Sequence, residues 1–123
     1  MLAAVIALLG TACNPTSSVA SCQPEHVDNG PDGYVTMQQG SAGTYVQWGM
    51  QPKDSQFATY GHWVVDVYTD LELYDHKDQT YVPHGSIENY SGRGVKPGKL
   101  LEIKGTVTAL GAAAKIYGVC KMA

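Results

Sequence analysis

The chain has 123 residues, of which 44% are hydrophobic, and a formal net charge of −3 at pH 7. This length allows one domain around a single hydrophobic core. The small negative charge lacks the basic excess that nucleic-acid binding requires, so we set that function class aside.

The chain opens on an apolar segment. Met1–Ala12 contains no charged side chain, and the apolar run Leu2–Leu9 within it is too short to span a bilayer, which takes ~20 residues. A run of this length is typical of the core of a signal peptide. We therefore predict that residues 1–12 are a signal peptide and that the protein is exported.

The residues around the first cysteine resemble the lipobox of bacterial lipoproteins. The segment reads Leu9-Gly10-Thr11-Ala12-Cys13, with small residues directly before the cysteine. The resemblance implies that Cys13 is lipidated, becomes the mature N-terminus and tethers the protein to a membrane of the bacterial cell envelope. The alternative is cleavage after Ala12 by ordinary signal peptidase, which would give a secreted protein with Cys13 free or paired between chains.

The cysteine count favours a single disulfide bond. The chain has three cysteines, and a secreted protein would leave one of them unpaired. Lipidation of Cys13 uses one thiol and leaves Cys22 and Cys120 as a pair. This bridge would close a loop of nearly the whole mature chain. By lowering the entropy of the unfolded chain, a loop of this length is expected to stabilise the fold by ~4–5 kcal/mol. It also suits an oxidising, extracytoplasmic location.

The remaining sequence divides into a tether and one domain. Residues up to Asp32 are rich in Ser, Pro, Asn and Gly and show no periodic apolar pattern, so we predict a lipidated tether over residues 13–32. From Gly33 the apolar period is mostly two. We predict a single β domain over residues 33–123.

Alternating β-branched and aromatic residues, bounded by Gly, Pro and Asp clusters, indicate strands throughout this domain. We expect Asp75–Asp78 to form a hairpin turn and Gly105 to mark a bulge or a close backbone approach. No helix is predicted beyond the signal peptide. The predicted strands are Tyr34–Gln38, Thr44–Met50, His62–Thr69, Leu71–Tyr74, Thr80–Val82, Ser86–Tyr90, Lys99–Leu110 and Ala114–Cys120.

Seven or eight short strands with regularly spaced turns predict a small antiparallel β-sandwich of immunoglobulin-like architecture. A second fold remains open. The segment Gly98–Val107 resembles an opening strand of the OB-fold, which would imply an OB-like β-barrel.

The sequence offers little support for catalysis, cofactors or metals. The glycine-rich segment Gly92–Lys99 lacks the glycine and hydroxyl positions of a phosphate-binding loop. No His-x-His pair occurs among the four histidines, and His62 and Asp66 would lie ~13 Å apart on an extended strand, too far for one ion. We therefore predict no catalytic residue, no metal site and no cofactor.

The tyrosines are the main functional signal, because a tyrosine packs one side of its ring and presents its hydroxyl to water or a ligand. We expect a contact region over Tyr74–Tyr90. The alternative is ordinary cross-strand pairing on a β surface. The candidate ligand-binding residues are Tyr68, Tyr74, His76, Tyr81, His84 and Tyr90.

A basic loop follows this region. Arg93, Lys96 and Lys99 are candidates for contact with anionic lipid headgroups or cell-wall polymer. The alternative is a solvated turn.

The combined prediction is a membrane-anchored, non-enzymatic binding module for a protein or carbohydrate ligand. A structural accessory subunit of a cell-envelope complex is the second hypothesis. The third is a small envelope hydrolase, which would take an acid and base pair from the carboxylates between Asp66 and Asp78.

Overall fold

The computed structural model describes residues 19–40, 44–59, 61–80 and 85–123. In these ranges the chain forms eight strands and one short helix. They are β1 (His26–Asn29), β2 (Gly33–Gln39), β3 (Val46–Pro52), α1 (Ser55–Thr59), β4 (His62–Thr69), β5 (Glu72–Thr80), β6 (Ile87–Ser91), β7 (Leu100–Ala109) and β8 (Ala112–Lys121).

The strands form two four-stranded sheets. Sheet I has the order β1-β2-β3-β6 and sheet II the order β5-β4-β7-β8. Every strand pairing within them is antiparallel, and their inner side chains form one buried cluster. The predicted antiparallel β-sandwich is confirmed, and two separate sheets replace the single barrel held as its alternative.

Alternation places the predicted apolar residues between the sheets. Trp63, Val65 and Val67 of β4 are buried, while their neighbours on the strand point outward. Gly105 on β7 is buried as well, and a Cβ there would overlap the thioether of Met50 from the opposite sheet. Gly105 therefore marks a close approach between the layers, as its place in the strand predicts.

The predicted disulfide bond is present. The Sγ atoms of Cys22 and Cys120 are bonded, with their Cα atoms 5.1 Å apart and 98 positions between them in sequence. Both cysteines are fully buried. The Cys22 amide also donates a hydrogen bond to the Lys121 carbonyl, so the bridge joins the chain before β1 to the end of β8.

The fold begins earlier than the predicted tether boundary at Asp32. β1 pairs with β2 over four residues, and Ser21 forms a bridge with Lys121. The sequence does not reveal β1, because its one aliphatic side chain, Val27, points to solvent. The segment between Cys13 and the folded domain is therefore much shorter than predicted.

The predicted hairpin turn at Asp75–Asp78 is wrong. Those residues lie within β5, and the turn falls at Asp70 and Leu71, both of which have positive φ. Residues 75–80 of β5 are all polar, which suits an edge strand whose side chains are mostly exposed. Predicted strand residues 81 and 82 lie outside the described part of the chain.

The helix α1 was not predicted. Asp54 caps it, since its Oδ1 accepts a hydrogen bond from the Gln56 amide at 3.0 Å, and Phe57 places its ring in the core. Five residues are too few for a periodic apolar pattern to be recognised.

Replacing both Cys22 and Cys120 with Ala should lower the free energy of unfolding by about 4–5 kcal/mol, because the unfolded chain loses a long covalent loop. Urea denaturation monitored by tryptophan fluorescence measures this change. Cys13→Ser, which removes the cysteine outside the pair, should leave the urea midpoint unchanged. Equal midpoints for all three proteins would contradict a stabilising bridge.

Candidate functional site

The two outer faces of the sandwich differ in chemistry. On sheet I, which we call the neutral face, the outward side chains are mainly amides, hydroxyls and tyrosine rings. Among its described residues, only Glu88 carries a charge at neutral pH. The neutral face comprises Val27, Asn29, Tyr34, Thr36, Gln38, Gln47, Gly49, Gln51, Glu88 and Tyr90.

A shallow groove of about 120 Å³ crosses the neutral face. Gly49 lies in its lining between Thr36 on β2 and Glu88 on β6. A Cβ on Gly49 would lie 3.0 Å from Thr36 Oγ1, so glycine keeps this part of the groove open. The groove thus exposes backbone between a hydroxyl and a carboxylate.

Tyr34 forms one end of the groove. Its hydroxyl donates a 2.6 Å hydrogen bond to Gln51 Oε1 across the β2–β3 pair. This bond fixes the tyrosine ring against the adjacent strand. Because Gln51 accepts through its oxygen, its amide nitrogen is the group that can donate to a ligand.

A second aromatic group lies at the far end of the neutral face. The rings of Tyr45 and Tyr90 are 5.0 Å apart at an interplanar angle of 32°, and 62% of Tyr90 is exposed. Tyr90 pairs with Gln47, four residues along β3 from Gln51. Strand geometry places Tyr34 and Tyr90 ~16 Å apart, with amides and hydroxyls between them.

The outer face of sheet II, which we call the charged face, carries ionic pairs. Its ionisable and aromatic residues are His62, Asp66, Tyr68, His76, Asp78, Glu102, Lys104, Lys115, Tyr117 and Lys121.

Two histidine–aspartate pairs join β4 to β5 on the charged face. His76 Nδ1 lies 2.6 Å from Asp66 Oδ1, and His62 Nε2 lies 2.6 Å from Asp78 Oδ1. The hydrogen bond and the negative charge of Asp66 raise the pKa of His76 above its ordinary value of 6.5. Each carboxylate thus faces an imidazole, whereas glycoside hydrolysis needs two carboxyl groups facing each other across a bond.

Tyrosines on the charged face have polar partners. Tyr117 donates a 2.6 Å hydrogen bond to Glu102, and partial burial together with that carboxylate raises the pKa of Tyr117 to about 12. Lys104 Nζ lies 5.4 Å from the centre of the Tyr68 ring, within the range of a cation–π contact. These rings serve cross-strand contacts.

The structure separates the predicted ligand-binding residues. Tyr68 and His76 lie on the charged face, whereas Tyr90 lies on the neutral face of the other sheet. Tyr81 and His84 fall outside the described residues. The predicted contact region Tyr74–Tyr90 is therefore not one continuous surface.

Tyr74 is the clearest correction among them. It is only 8% exposed, and its hydroxyl donates a hydrogen bond to the Arg93 carbonyl. The register shifts so that Tyr68 pairs with Leu73 and Val67 with Asp75. Tyr74 is the extra residue of this β-bulge, and the bulge turns its side chain into the core.

The predicted basic residues have different surroundings. The Arg93 guanidinium stacks on the Tyr74 ring at 4.3 Å, and Lys99 Nζ lies 3.6 Å from Asp70 Oδ2. Lys96 is exposed. Cys13, the predicted lipidation site, lies outside the described residues.

The groove residues Tyr34, Gln51 and Glu88 were not predicted as ligand-binding residues from the sequence. A signal was available, because polar residues of the neutral face alternate with buried Val35, Met37, Trp48 and Met50 along β2 and β3. Gln38, Gln47 and Gln51 all lie on the outward face of these strands. This recurrence of amide side chains is the pattern that would have indicated a site.

No helix in the described part of the chain is long and apolar enough to cross a membrane. No group of three or more His, Cys, Asp or Glu side chains in the same ranges is placed to hold a metal ion.

Comparison with known proteins gives one structural neighbour to report. No protein-family profile matches the chain, and no curated protein matches it. The crystal structure of a Br derivative of BhCBM56, a carbohydrate-binding module with a β-sandwich fold, superposes with a TM-score of 0.55. The match covers 77% of this chain and 97% of that one at 18% sequence identity. At this identity the likeness shows the fold alone.

Asp66→Asn should lower the pKa of His76, because the hydrogen bond to Asp66 is the largest cause of its elevation. The stabilisation from this pair is complete below pH 6.5 and is lost as the pH rises through the raised pKa of His76. An NMR titration of the imidazole Cε1 proton measures the shift.

Asp78→Asn provides the matched control, since Asp78 acts on His76 only through its charge. We expect a smaller decrease in the His76 pKa for this variant. A His76 titration that is identical in the wild type and Asp66→Asn would contradict the assigned pair.

Proposed function

We propose that this protein is a non-catalytic carbohydrate-binding module, held by a lipid on Cys13 at an extracytoplasmic membrane of the bacterial cell envelope. The observation that carries the proposal is the neutral face, where a groove lined by Tyr34 and Gln51 lies at one end and the exposed Tyr90 lies at the other. The β-sandwich shared with the carbohydrate-binding module BhCBM56 supports it.

The neutral face has the chemistry that sugars require. A sugar ring presents C–H groups on its faces and hydroxyls at its rim, so an aromatic ring can stack on one and polar side chains can bind the other. Tyr34 and Tyr90 offer such rings, while Gln51 and Glu88 offer a donor and an acceptor. The ~16 Å between the two tyrosines favours an extended oligosaccharide over a single sugar.

The charge of the neutral face selects among polysaccharides. Its described outward residues include no Lys or Arg, so no cation is available there to pair with a uronate, sulfate or phosphate group. Glu88 would repel such groups. We therefore favour an uncharged polysaccharide as the ligand.

The structural-subunit hypothesis depends on an uncovered edge strand. β5 is an edge of sheet II over nine residues, but its Lys77 and Asp78 are the kind of charged residues that keep natural sheet edges unpaired. Carbohydrate binding is accordingly the preferred function.

Tyr34→Ala should weaken binding of a neutral polysaccharide by roughly tenfold, or ~1.4 kcal/mol, because the stacking ring and the positioning of Gln51 are lost together. Affinity electrophoresis through gels containing neutral β- or α-linked glucans, mannans or xylans measures the retardation.

Tyr117→Ala is the matched control, since it removes an exposed tyrosine from the opposite sheet. It should be retarded like the wild type. A wild-type protein that no neutral polymer retards, or a Tyr34→Ala variant retarded as strongly as the wild type, would contradict the assigned site.

The lipid anchor has a separate test. Intact mass spectrometry of the protein purified from its native membranes should show a diacylglyceryl or triacyl modification, because Cys13 occupies the lipidated position of the lipobox-like segment. Cys13→Ser should move the protein from the membrane to the soluble fraction. An unmodified mass, or continued membrane retention of Cys13→Ser, would contradict the anchor.

A further inference from the structure

One end of the sandwich carries an exposed apolar turn. Leu71, in the turn between β4 and β5, is 86% exposed, and Leu73 beside it is 60% exposed. At this end Thr69 pairs with Leu101, and Leu100 pairs with Lys121. We call this the entry end, because the chain also enters the fold there, where Ser21 bridges to Lys121.

Neither core packing nor turn geometry explains why residue 71 is a leucine. Its φ of 73° lies in the left-handed region, which bulky side chains rarely adopt, and tight hairpin turns of this kind prefer Asn or Gly. The turn is held instead by Asp70, whose carboxylate accepts a 2.8 Å hydrogen bond from the Leu100 amide. Leu71 thus contributes strain and exposed apolar area without packing in the core.

Cations flank the apolar turn. Lys96 and Lys121 are exposed at the entry end, and Arg93 and Lys99 lie in the same loop as Lys96. Lys99 neutralises Asp70, which leaves Glu72 as the acidic residue nearest the turn in sequence. An apolar tip beside several cations is the combination that binds the interface of an anionic bilayer.

We propose that the entry end rests on the anionic surface of the membrane, with Leu71 inserted at the level of the headgroups and Lys96 contacting them. This inference rests on the lipid anchor at Cys13 from the proposed function. Five residues lie between Cys13 and Val19, the first described residue, and the chain from Cys13 to Val19 spans at most ~22 Å. The folded domain is then always close to the bilayer, so a weak contact forms at high local concentration.

The opposite end of the sandwich supplies a matched control. Leu110, in the turn between β7 and β8, is 93% exposed with a φ of 52°. At this end a pocket beside Ala112 is lined by Asp32 and Asp54 together with a single cation, Lys53. Leu110 is therefore, like Leu71, an exposed leucine at positive φ in a hairpin turn. It lies away from the entry end and from the basic loop.

The test compares Leu71→Trp with Leu110→Trp in the full lipidated chain. Each protein is reconstituted into vesicles of phosphatidylcholine with brominated acyl chains, with and without phosphatidylglycerol. The native Trp48 and Trp63 are buried and give a constant background. We expect the emission of the Leu71→Trp reporter to shift to the blue and to be quenched at least twofold more than that of Leu110→Trp in the anionic vesicles.

Charge dependence gives a second measurement. Adding Lys96→Glu to the Leu71→Trp reporter should reduce the quenching, and so should raising the salt concentration. Equal quenching of both reporters, or none for Leu71→Trp in anionic vesicles, would overturn the proposal.

The outcomes separate this inference from the proposed function. A mass that shows no lipid on Cys13 would overturn both the anchor and the membrane contact, while polysaccharide retardation, which is measured without membranes, would stand on its own. Quenching of Leu71→Trp without any polysaccharide binding would leave the membrane contact in place and overturn the carbohydrate ligand.

Discussion

The Cys22–Cys120 bridge is the constraint on which the rest of the structure depends. It connects the segment before the first strand of sheet I to the last strand of sheet II, across 98 positions of sequence. At the other edge of the sandwich, Asp75 of β5 accepts hydrogen bonds from Trp48 Nε1 and Asn89 of sheet I. The disulfide bond and a hydrogen bond from the Val119 amide to Asp28 join the two layers at one edge, and the hydrogen bonds to Asp75 join them at the other. Buried side chains fill the core between these edges.

Because the layers are joined through their inner faces and edges, the two outer faces are free to differ. Sheet I presents amides, hydroxyls and tyrosines around the backbone of Gly49, and sheet II presents ion pairs between neighbouring strands. This difference matters for recognition. Binding an uncharged ligand to the neutral face requires the desolvation of neutral polar groups only, whereas binding to the charged face would require the desolvation or disruption of ion pairs. The proposed sugar site follows from this contrast.

The sequence predicts those parts of the fold that depend on local pattern. The period of two places Trp63, Val65 and Val67 in the core, and the cysteine count pairs Cys22 with Cys120. It does not predict β1, whose Val27 is exposed, or the turn at Asp70 and Leu71, because leucine is an unusual residue at positive φ. Long-range pairing decides both.

The candidate site was harder to predict for the same reason. Tyr74 and Tyr90 both lie in short polar strand segments of the sequence. A β-bulge turns Tyr74 into the core, whereas Tyr90 lies on β6, which belongs to the other sheet and presents it on the opposite outer face. Tyr34 and Gln51 are far apart in sequence and meet only through the register of β2 with β3. A site assembled from neighbouring strands has no contiguous sequence motif. The only sign of it in the sequence is that polar residues recur at the outward positions of each strand.

The bridge also has a mechanical consequence. If the protein holds a polymer on sheet I while a lipid holds its N-terminus, any tension between cell surface and polymer enters the domain at Cys22. There the load divides between the backbone leading to β1 and the covalent path through Cys120 to β8. Peeling β1 from the sheet edge would therefore not release the rest of the fold, because β8 shares the force through its long pairing with β7. Such an attachment suits a binding module that must remain folded and bound to its polymer while fluid flow applies a force.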